Sequence, residues 1–476
     1  MSHTTIHTPH QAATAQPVPR RWQDLTLLCL AQFMVVLDVT VVNVALPEMG
    51  SDLGLDRAAL TWVVTAYTLC FGGLMLLGGR LADLLGRRRV FLAGLLLFTA
   101  ASLVAGLATS PAVLIGTRAA QGVGAALLSP AALSIITTTF HGPERHRALG
   151  VWAALGGGGA AAGVLVGGML TSGPGWQWVF YVNVPIGVLV AALVPAIVAA
   201  PRRQPGRIDL AGALLVAAAS AALIYGLVRV GEGGWLPAVA AAAALYAAFV
   251  VVERKVPAPL VRLGLLIQRP MAAGVATMLT ASALLISGSF LCSLLLQHAI
   301  GMSALQTGLL FLPVAVATGL GAHIAGRLVA RTGPRPVAAG GFGLAAAGYA
   351  LLGLLDTGTN VWLGVLPGFV LAAAGLGAGF VTATTTALTR VDAHHAGMAS
   401  GAVNTAHELG AAFGVAVVSA IAGASVDTAT AHVAGIGGFT DAFWACAAAS
   451  FVAAVVLTML LPAGRAPVTD RPVFAH

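Results

Sequence analysis

The feature that most constrains this chain is a succession of apolar runs, each near the ~20 residues that a helix needs to cross a bilayer. They can be read at 25–47, 60–79, 89–108, 112–136, 151–170 and 179–199, then at 209–230 and 235–252. A last group follows at 271–297, 304–326, 337–355, 361–388, 399–424 and 439–462. Only 8% of the residues are charged and 58% are hydrophobic, whereas a soluble domain carries about 25% charged residues. The solvent for most of this surface is therefore lipid, and an all-α polytopic membrane protein is expected.

The net charge of +8 sits in the gaps between runs, so it speaks for topology and not for nucleic acid. With the N-terminus inside, the inner gaps and tails hold all the Lys and Arg residues except Arg57 and Arg229, which fall outside, and Arg118, which falls within a run. Cytoplasmic segments carry such an excess, so both termini are expected inside with an even helix count. The four cysteines, Cys29, Cys70, Cys292 and Cys446, lie inside apolar runs without metal spacing, and no metal or cofactor is expected.

A duplication is visible. Gly79-Arg80-Leu81 returns as Gly326-Arg327-Leu328, an offset of 326 − 79 = 247. Gly122-Val123-Gly124-Ala125 returns as Gly375-Leu376-Gly377-Ala378, offset 253, and Gly150, Gly159 and Gly163 return at Gly401, Gly410 and Gly414, offset 251. The chain divides as 6 + 2 + 6: a tail at 1–24, a six-helix bundle at 25–200, a linker with two inserted helices at 201–268, a second bundle at 269–462 and a tail at 463–476. Parallel repeats of this kind build transporters that rock about a midplane site. The inserted pair has no ionisable residue in its interior, and a packing role is expected for it.

Asp38, Arg118 and Glu408 lie deep inside runs, where a charge is costly and is kept for a task. Asp38 lies nine residues before Pro47, about 14 Å from the outer end at 1.5 Å per residue, and Arg118 about 9 Å below the same surface. A guanidinium can span that difference. A pair would pit the arginine, which favours the ionised carboxylate, against desolvation, which favours the protonated one. On the repeat offsets, Asp38 and Arg118 fall at or near Gly288 and Leu371, so the charges belong to the first half alone. The third is Glu408 in the run at 399–424, a second protonation site or a contact for a cationic substrate. His407, adjacent in sequence, is expected on another face. Gln32, Asn43, Trp62, Tyr67, Gln121 and Asn404 are polar or aromatic groups inside runs that could line a cavity.

Gly79 to Arg88 has the pattern Gly-x-x-x-Asp-x-x-Gly-Arg-Arg, with Gly79, Asp83, Gly86, Arg87 and Arg88 at the fixed positions. It suits a tight turn with a carboxylate and arginines able to latch helix bundles on the cytoplasmic side. This loop resembles the signature of the major facilitator superfamily, with Leu84 where a basic residue is usual. Leu114 to Gly124, around Arg118, is similar to the family's helix 4 motif, whose arginine is linked to proton coupling. Gly159, Gly163, Gly167 and Gly168 resemble the helix 5 motif of drug:proton antiporters, with Val164 in place of a proline. The first three fall on one face, where another backbone can approach.

With the stretches Leu37–Pro47, Trp176–Gly187 and Gly397–Thr405, the chain is similar to the fourteen-helix drug:proton antiporters. That resemblance implies a multi-pass protein of the cell membrane, a secondary active transporter and not an enzyme. It would export small organic compounds, amphipathic drugs or antibiotics, in exchange for protons by rocker-switch alternating access. Asp38, Arg118 and Glu408 are the expected proton-coupling residues, with the proton gradient as energy source and action as a monomer. The alternatives are an importer or uniporter of a small metabolite and, more remotely, a membrane-embedded enzyme or receptor, which would need a nucleophile, a metal cluster or a soluble domain.

Overall fold

The computed structural model describes residues 18–140, 142–197, 209–229, 234–256, 259, 263–356, 360–388, 396–423, 436–462 and 464. Among them regular structure is entirely helical. The helices are α1 (Val18–Leu53), α2 (Arg57–Leu85), α3 (Arg87–Gly106), α4 (Pro111–Thr139), α5 (Gly142–Ser172), α6 (Trp178–Tyr181), α7 (Asn183–Ile197), α8 (Leu210–Val228) and α9 (Trp235–Lys255). Then come α10 (Leu263–Leu266), α11 (Arg269–Leu294) with a π turn at Leu295–Ala299, α12 (Ala304–Thr332), α13 (Pro334–Gly353), α14 (Val361–Leu388), α15 (Ala396–Ala422) and α16 (Gly437–Leu460). Thirteen membrane-length apolar spans are found among the described residues, α6 and α7 together making one. The fourteenth expected span is α5, whose described apolar stretch is Ala162–Ser172. Only part of the expected tails at 1–24 and 463–476, and of the linker at 201–268, lies within the described residues.

The chain is a multi-pass membrane protein. Leu96, Leu107, Leu363, Phe451 and Met459 are exposed, as suits a surface bathed in lipid. Burial of apolar surface gives helices in lipid little reason to associate, so close backbone packing through small residues has to supply it. A Cβ on Gly78 would run into the backbone of Ala126, and Gly94 and Gly124 face each other's backbones, which draws α2, α3 and α4 together. In the second group a Cβ on Gly321 would meet Ala374, and one on Gly341 would meet Gly375, which does the same for α12, α13 and α14.

The pairings recur throughout. α1 packs on α5 as α11 packs on α15, α3 on α7 as α13 on α16, and α5 meets α12 as α15 meets α2. This is compatible with the 6 + 2 + 6 division. The inserted α8 lies against both α2 and α15, while α9 packs mainly on α8, tied to it by a Ser220–Tyr246 hydrogen bond of 2.8 Å. Asp209 caps α8 by accepting from the Gly212 N–H at 2.8 Å.

Of the boundaries that differ from the sequence reading, three bear on the site. α1 starts at Val18, not near 25, where Trp22 stacks edge-on with Phe140 at 5.3 Å. It also continues through Pro47 to Leu53. Proline cannot donate to the carbonyl four residues back; here that carbonyl, Asn43 O, accepts from Ser293 Oγ at 2.6 Å instead. The sixth run breaks at Val182 into α6 and α7, which puts Asn183 at a helix start.

Candidate functional site: a buried carboxylate network in the first helix group

α1 carries Asp38 into a fully buried position. α4 brings Arg118 and, one turn on, Gln121 to the same point, since residues three apart share a helix face. Arg118 Nη1 donates to Asp38 Oδ2 at 2.5 Å and to Gln121 Oε1 at 2.9 Å. Its Nε donates to the Val63 carbonyl on α2 at 3.1 Å. The Tyr67 ring lies under the guanidinium, 4.3 Å from ring centre to Cζ, a cation–π contact that favours the charge.

The other carboxylate oxygen, Oδ1, accepts from Gln121 Nε2 at 3.0 Å and from Asn183 Nδ2 at 2.9 Å. Gln121 Nε2 also donates to Ser102 Oγ on α3 at 2.8 Å, and Ser102 Oγ donates to the Phe98 carbonyl at 2.8 Å. α1, α2, α3, α4 and α7 thus meet at one carboxylate. Removing a buried pair of charges from water costs so much that such a pair is weak evidence of stabilisation.

The glycines of α5 shape the same helix. Gly159 lies against Phe33 and Val36, Gly163 against Leu37 and Thr40, and Gly167 against Val41, all on α1. Gly168 instead faces Ala304 and Leu305 of α12. Val164 turns its carbonyl to Gly308 of α12, so the position where the resemblance has proline lies at the contact between the two helix groups.

The described side-chain hydrogen bonds between the first group and α11–α16 all lie near the membrane face that holds Arg57, called outer here on the charge asymmetry. Besides Ser293 to Asn43 O, Gln297 Nε2 donates to Val44 O at 2.9 Å, and His298 Nε2 contacts Pro47 O at 3.2 Å. Thr61 and Ser419 hydroxyls pair at 2.6 Å, and Ser172 Oγ accepts from the Leu305 N–H at 2.9 Å. These bonds join the two helix groups along the outer side.

Glu408 of α15 lies where its Cβ abuts Gly72 of α2, and it is within Coulombic range of Tyr67. His407 Nδ1 is 3.2 Å from Glu408 Oε1. The two leave α15 on separate faces, His407 toward Phe380 of α14 at 5.6 Å between ring centres and Glu408 toward Gly72 of α2, and their side-chain ends meet. Asn404, one turn inward on that face, is exposed.

The remaining candidates are scattered. Gln32 accepts from Ser129 Oγ at 2.7 Å, Asn43 belongs to the outer seam, and Trp62 packs beside Leu69, Ile224 and Leu409. Gly86, with φ 98°, makes the turn between α2 and α3, and Gly333, with φ 86°, makes its counterpart. A Cβ on Gly79 would make only ordinary contact with Pro130. Arg87 Nη1 donates to Thr138 Oγ1 at 2.8 Å and Arg88 Nη1 to Pro195 O at 3.3 Å, both in the first group. Asp83 lies on α2, and its side chain falls outside the described residues. The four cysteines are free, and no metal-binding cluster occurs among the described residues.

Sequence reasoning did not single out Ser102, Asn183, Ser293 or Gln297. Asn183 had a signal, because it is a lone amide in the apolar stretch Val179–Ile197.

The Major Facilitator Superfamily description matches residues 28–415. The puromycin resistance protein pur8 of Streptomyces alboniger is 42% identical over 427 residues, 87% of this chain and 84% of that protein. The cephamycin export protein CmcT of Amycolatopsis lactamdurans is 42% identical over 450 residues, 92% of each. Among solved structures, a bacterial homologue of the human lysosomal transporter Spinster, inward-facing and unoccupied, superposes with a TM-score of 0.67 at 17% identity, covering 93% of this chain and 97% of that one.

Proposed function

The chain belongs to the Major Facilitator Superfamily, and from that premise we propose that it exports small organic compounds of the antibiotic or drug class in exchange for protons. The observation that carries this reading is the buried Asp38–Arg118 pair at 2.5 Å, a carboxylate placed inside a membrane-length helix. The names of the relatives, a puromycin resistance protein and a cephamycin exporter, support the direction and substrate class.

In the proposed cycle Asp38 takes up a proton while the protein is open outward, which weakens its hold on Arg118. The helix groups then rock to the inward-open form, and the proton leaves as substrate fills the cavity and Arg118 recovers its carboxylate. Glu408 faces the first group across Gly72 and serves cationic substrates or a second proton. Asp83, Arg87 and Arg88 steady the cytoplasmic ends, and the protein acts as a monomer in the cell membrane.

The test is Asp38→Asn in proteoliposomes with an imposed pH gradient. Gradient-driven accumulation should disappear while substrate binding stays measurable. Accumulation at the native level in the variant would overturn the coupling assignment.

A further inference from the structure

Asp38 is surrounded by donors. Arg118 Nη1 donates to Oδ2, while Gln121 Nε2 and Asn183 Nδ2 donate to Oδ1. That arrangement suits a carboxylate, which only accepts. A carboxylic acid carries an O–H that needs an acceptor, and a buried donor left without one is costly.

Three side-chain oxygens belong to groups bonded to Asp38 or to its two amide donors. Gln121 Oε1 is engaged by Arg118 at 2.9 Å, and turning that amide would set its NH2 against the guanidinium and break the bond to Ser102. Ser102 Oγ accepts from Gln121 Nε2 and donates to Phe98 O at 2.8 Å. Asn183 Oδ1 is buried and has no hydrogen-bond partner. Apart from the bond to Asp38, the Asn183 amide makes only a long contact to Ser102 Oγ, at 3.5 Å.

We propose that Asn183 reads the protonation state of Asp38. When the carboxylate takes up a proton, the Asn183 amide turns by half a revolution and its Oδ1 accepts the new O–H, replacing the Nδ2 donation. No strong bond holds the far side of the amide in the present orientation, where Oδ1 has no partner, so the bond to Asp38 sets which way it faces, and the new O–H, which needs an acceptor, turns it. Asn183 opens α7, which packs on α1 and α3. The turn exchanges a charge-assisted tether between α1 and α7 for a weaker neutral one.

The charged and titratable groups that face Asp38 are Arg118 from α4 and Tyr67 from α2, and Tyr67 in turn is within Coulombic range of Glu408 from α15. The facing groups from α3 and α7 are Ser102 and Asn183. The facing residues of α5 are glycines, and those of α11 near α1 are Ser293 and Gln297. Asn183 is thus a positioning residue for the coupling carboxylate, and the proposal rests on the reading of Asp38 as proton carrier.

The test is infrared difference spectroscopy of the native protein with 13C-labelled asparagine side chains, titrated from alkaline to acid pH. Asn43, Asn360 and Asn404 also carry label, so the Asn183 carbonyl band is assigned by its loss in Asn183→Leu. The expected result is a shift of that band to lower frequency on acidification, from free to hydrogen-bonded carbonyl, which is absent in Asp38→Asn. A band that stays fixed while native transport remains proton-driven and dependent on Asp38 overturns the Asn183 switch alone. Gradient-driven accumulation by Asp38→Asn would overturn the parent reading instead, and the switch with it. In transport, Asn183→Leu should lose accumulation at least tenfold while downhill flux is kept; equal loss of both is the mark of a structural role and counts against the proposal.

Discussion

Ser293 donates to the carbonyl of Asn43 at 2.6 Å, and the two residues are 250 apart in the chain, the spacing of the sequence duplication itself. The neighbouring bonds, Gln297 to Val44 and His298 to Pro47, span 253 and 251. α1 and α11 therefore meet on the outer side at equivalent positions, as two related helices do where they cross a shared pseudo-two-fold axis. Pro47 makes the contact asymmetric: it leaves the Asn43 carbonyl without its helical donor, and Ser293 supplies one from the other helix group.

Ser293→Ala should accordingly loosen the outer closure. A lost hydrogen bond contributes about 1 kcal/mol, about fivefold in an equilibrium, so the outward-open population should rise by that factor. Spin labels at Leu107 and Trp362, both exposed at outer helix ends, would report the longer distance. An unchanged distance distribution would mean that the seam does not hold the outer side shut.

Arg118→Ala leaves Asp38 buried without its countercharge. Breaking one partner of a buried pair costs about 3–5 kcal/mol, so Tm in detergent should fall clearly. Adding Asp38→Asn should restore most of the loss, because the amide needs no countercharge. If the double variant is no more stable than Arg118→Ala, the guanidinium contributes through Tyr67 and Val63 rather than through the carboxylate.

The helices were legible in the sequence because lipid demands a long apolar run for each, and the Asp38–Arg118 pair because charges stand out in such runs. Uncharged polar groups do not stand out in this way. The helices are apolar on nearly every side, so no amphipathic stripe says which face Ser102 or Asn183 occupies, and both joined the site only through tertiary packing. The helix ends were misplaced for a related reason: Pro47 reads as a stop, and the partner that lets α1 continue is 250 residues away.

The α5 glycines differ sharply in the room around them compared with glycines elsewhere in the group. A Cβ at Gly163 would collide with Thr40 and the Leu37 carbonyl, whereas one at Gly116 would meet nothing. Overpacking costs about 1–3 kcal/mol, so Gly163→Val should lower Tm and, by displacing α1, weaken transport. Gly116→Ala should be neutral or stabilising by about 0.5–1 kcal/mol. Equal effects at the two sites in thermal-shift and transport assays would rule out the close α1–α5 approach as the reason for the glycines.

Glu408 gives the sharpest test of substrate chemistry. Its side chain is only 12% exposed and its partner His407 38%, so a cation reaching it from the inward side would meet a carboxylate in a poorly hydrated place. A hydrogen bond to a charged group contributes about 1.5–3 kcal/mol. Glu408→Gln, close in size, should therefore raise KM for cationic substrates by roughly tenfold to a hundredfold on that range, and for neutral substrates by less than about twofold. Packing is the competing explanation, since the Glu408 Cβ sits against Gly72. Gly72→Ala separates the two, because its new methyl would press on Glu408 and should weaken cationic and neutral substrates alike. A Glu408→Gln profile that matches Gly72→Ala across both substrate types would assign Glu408 to the helix contact and remove it from substrate recognition.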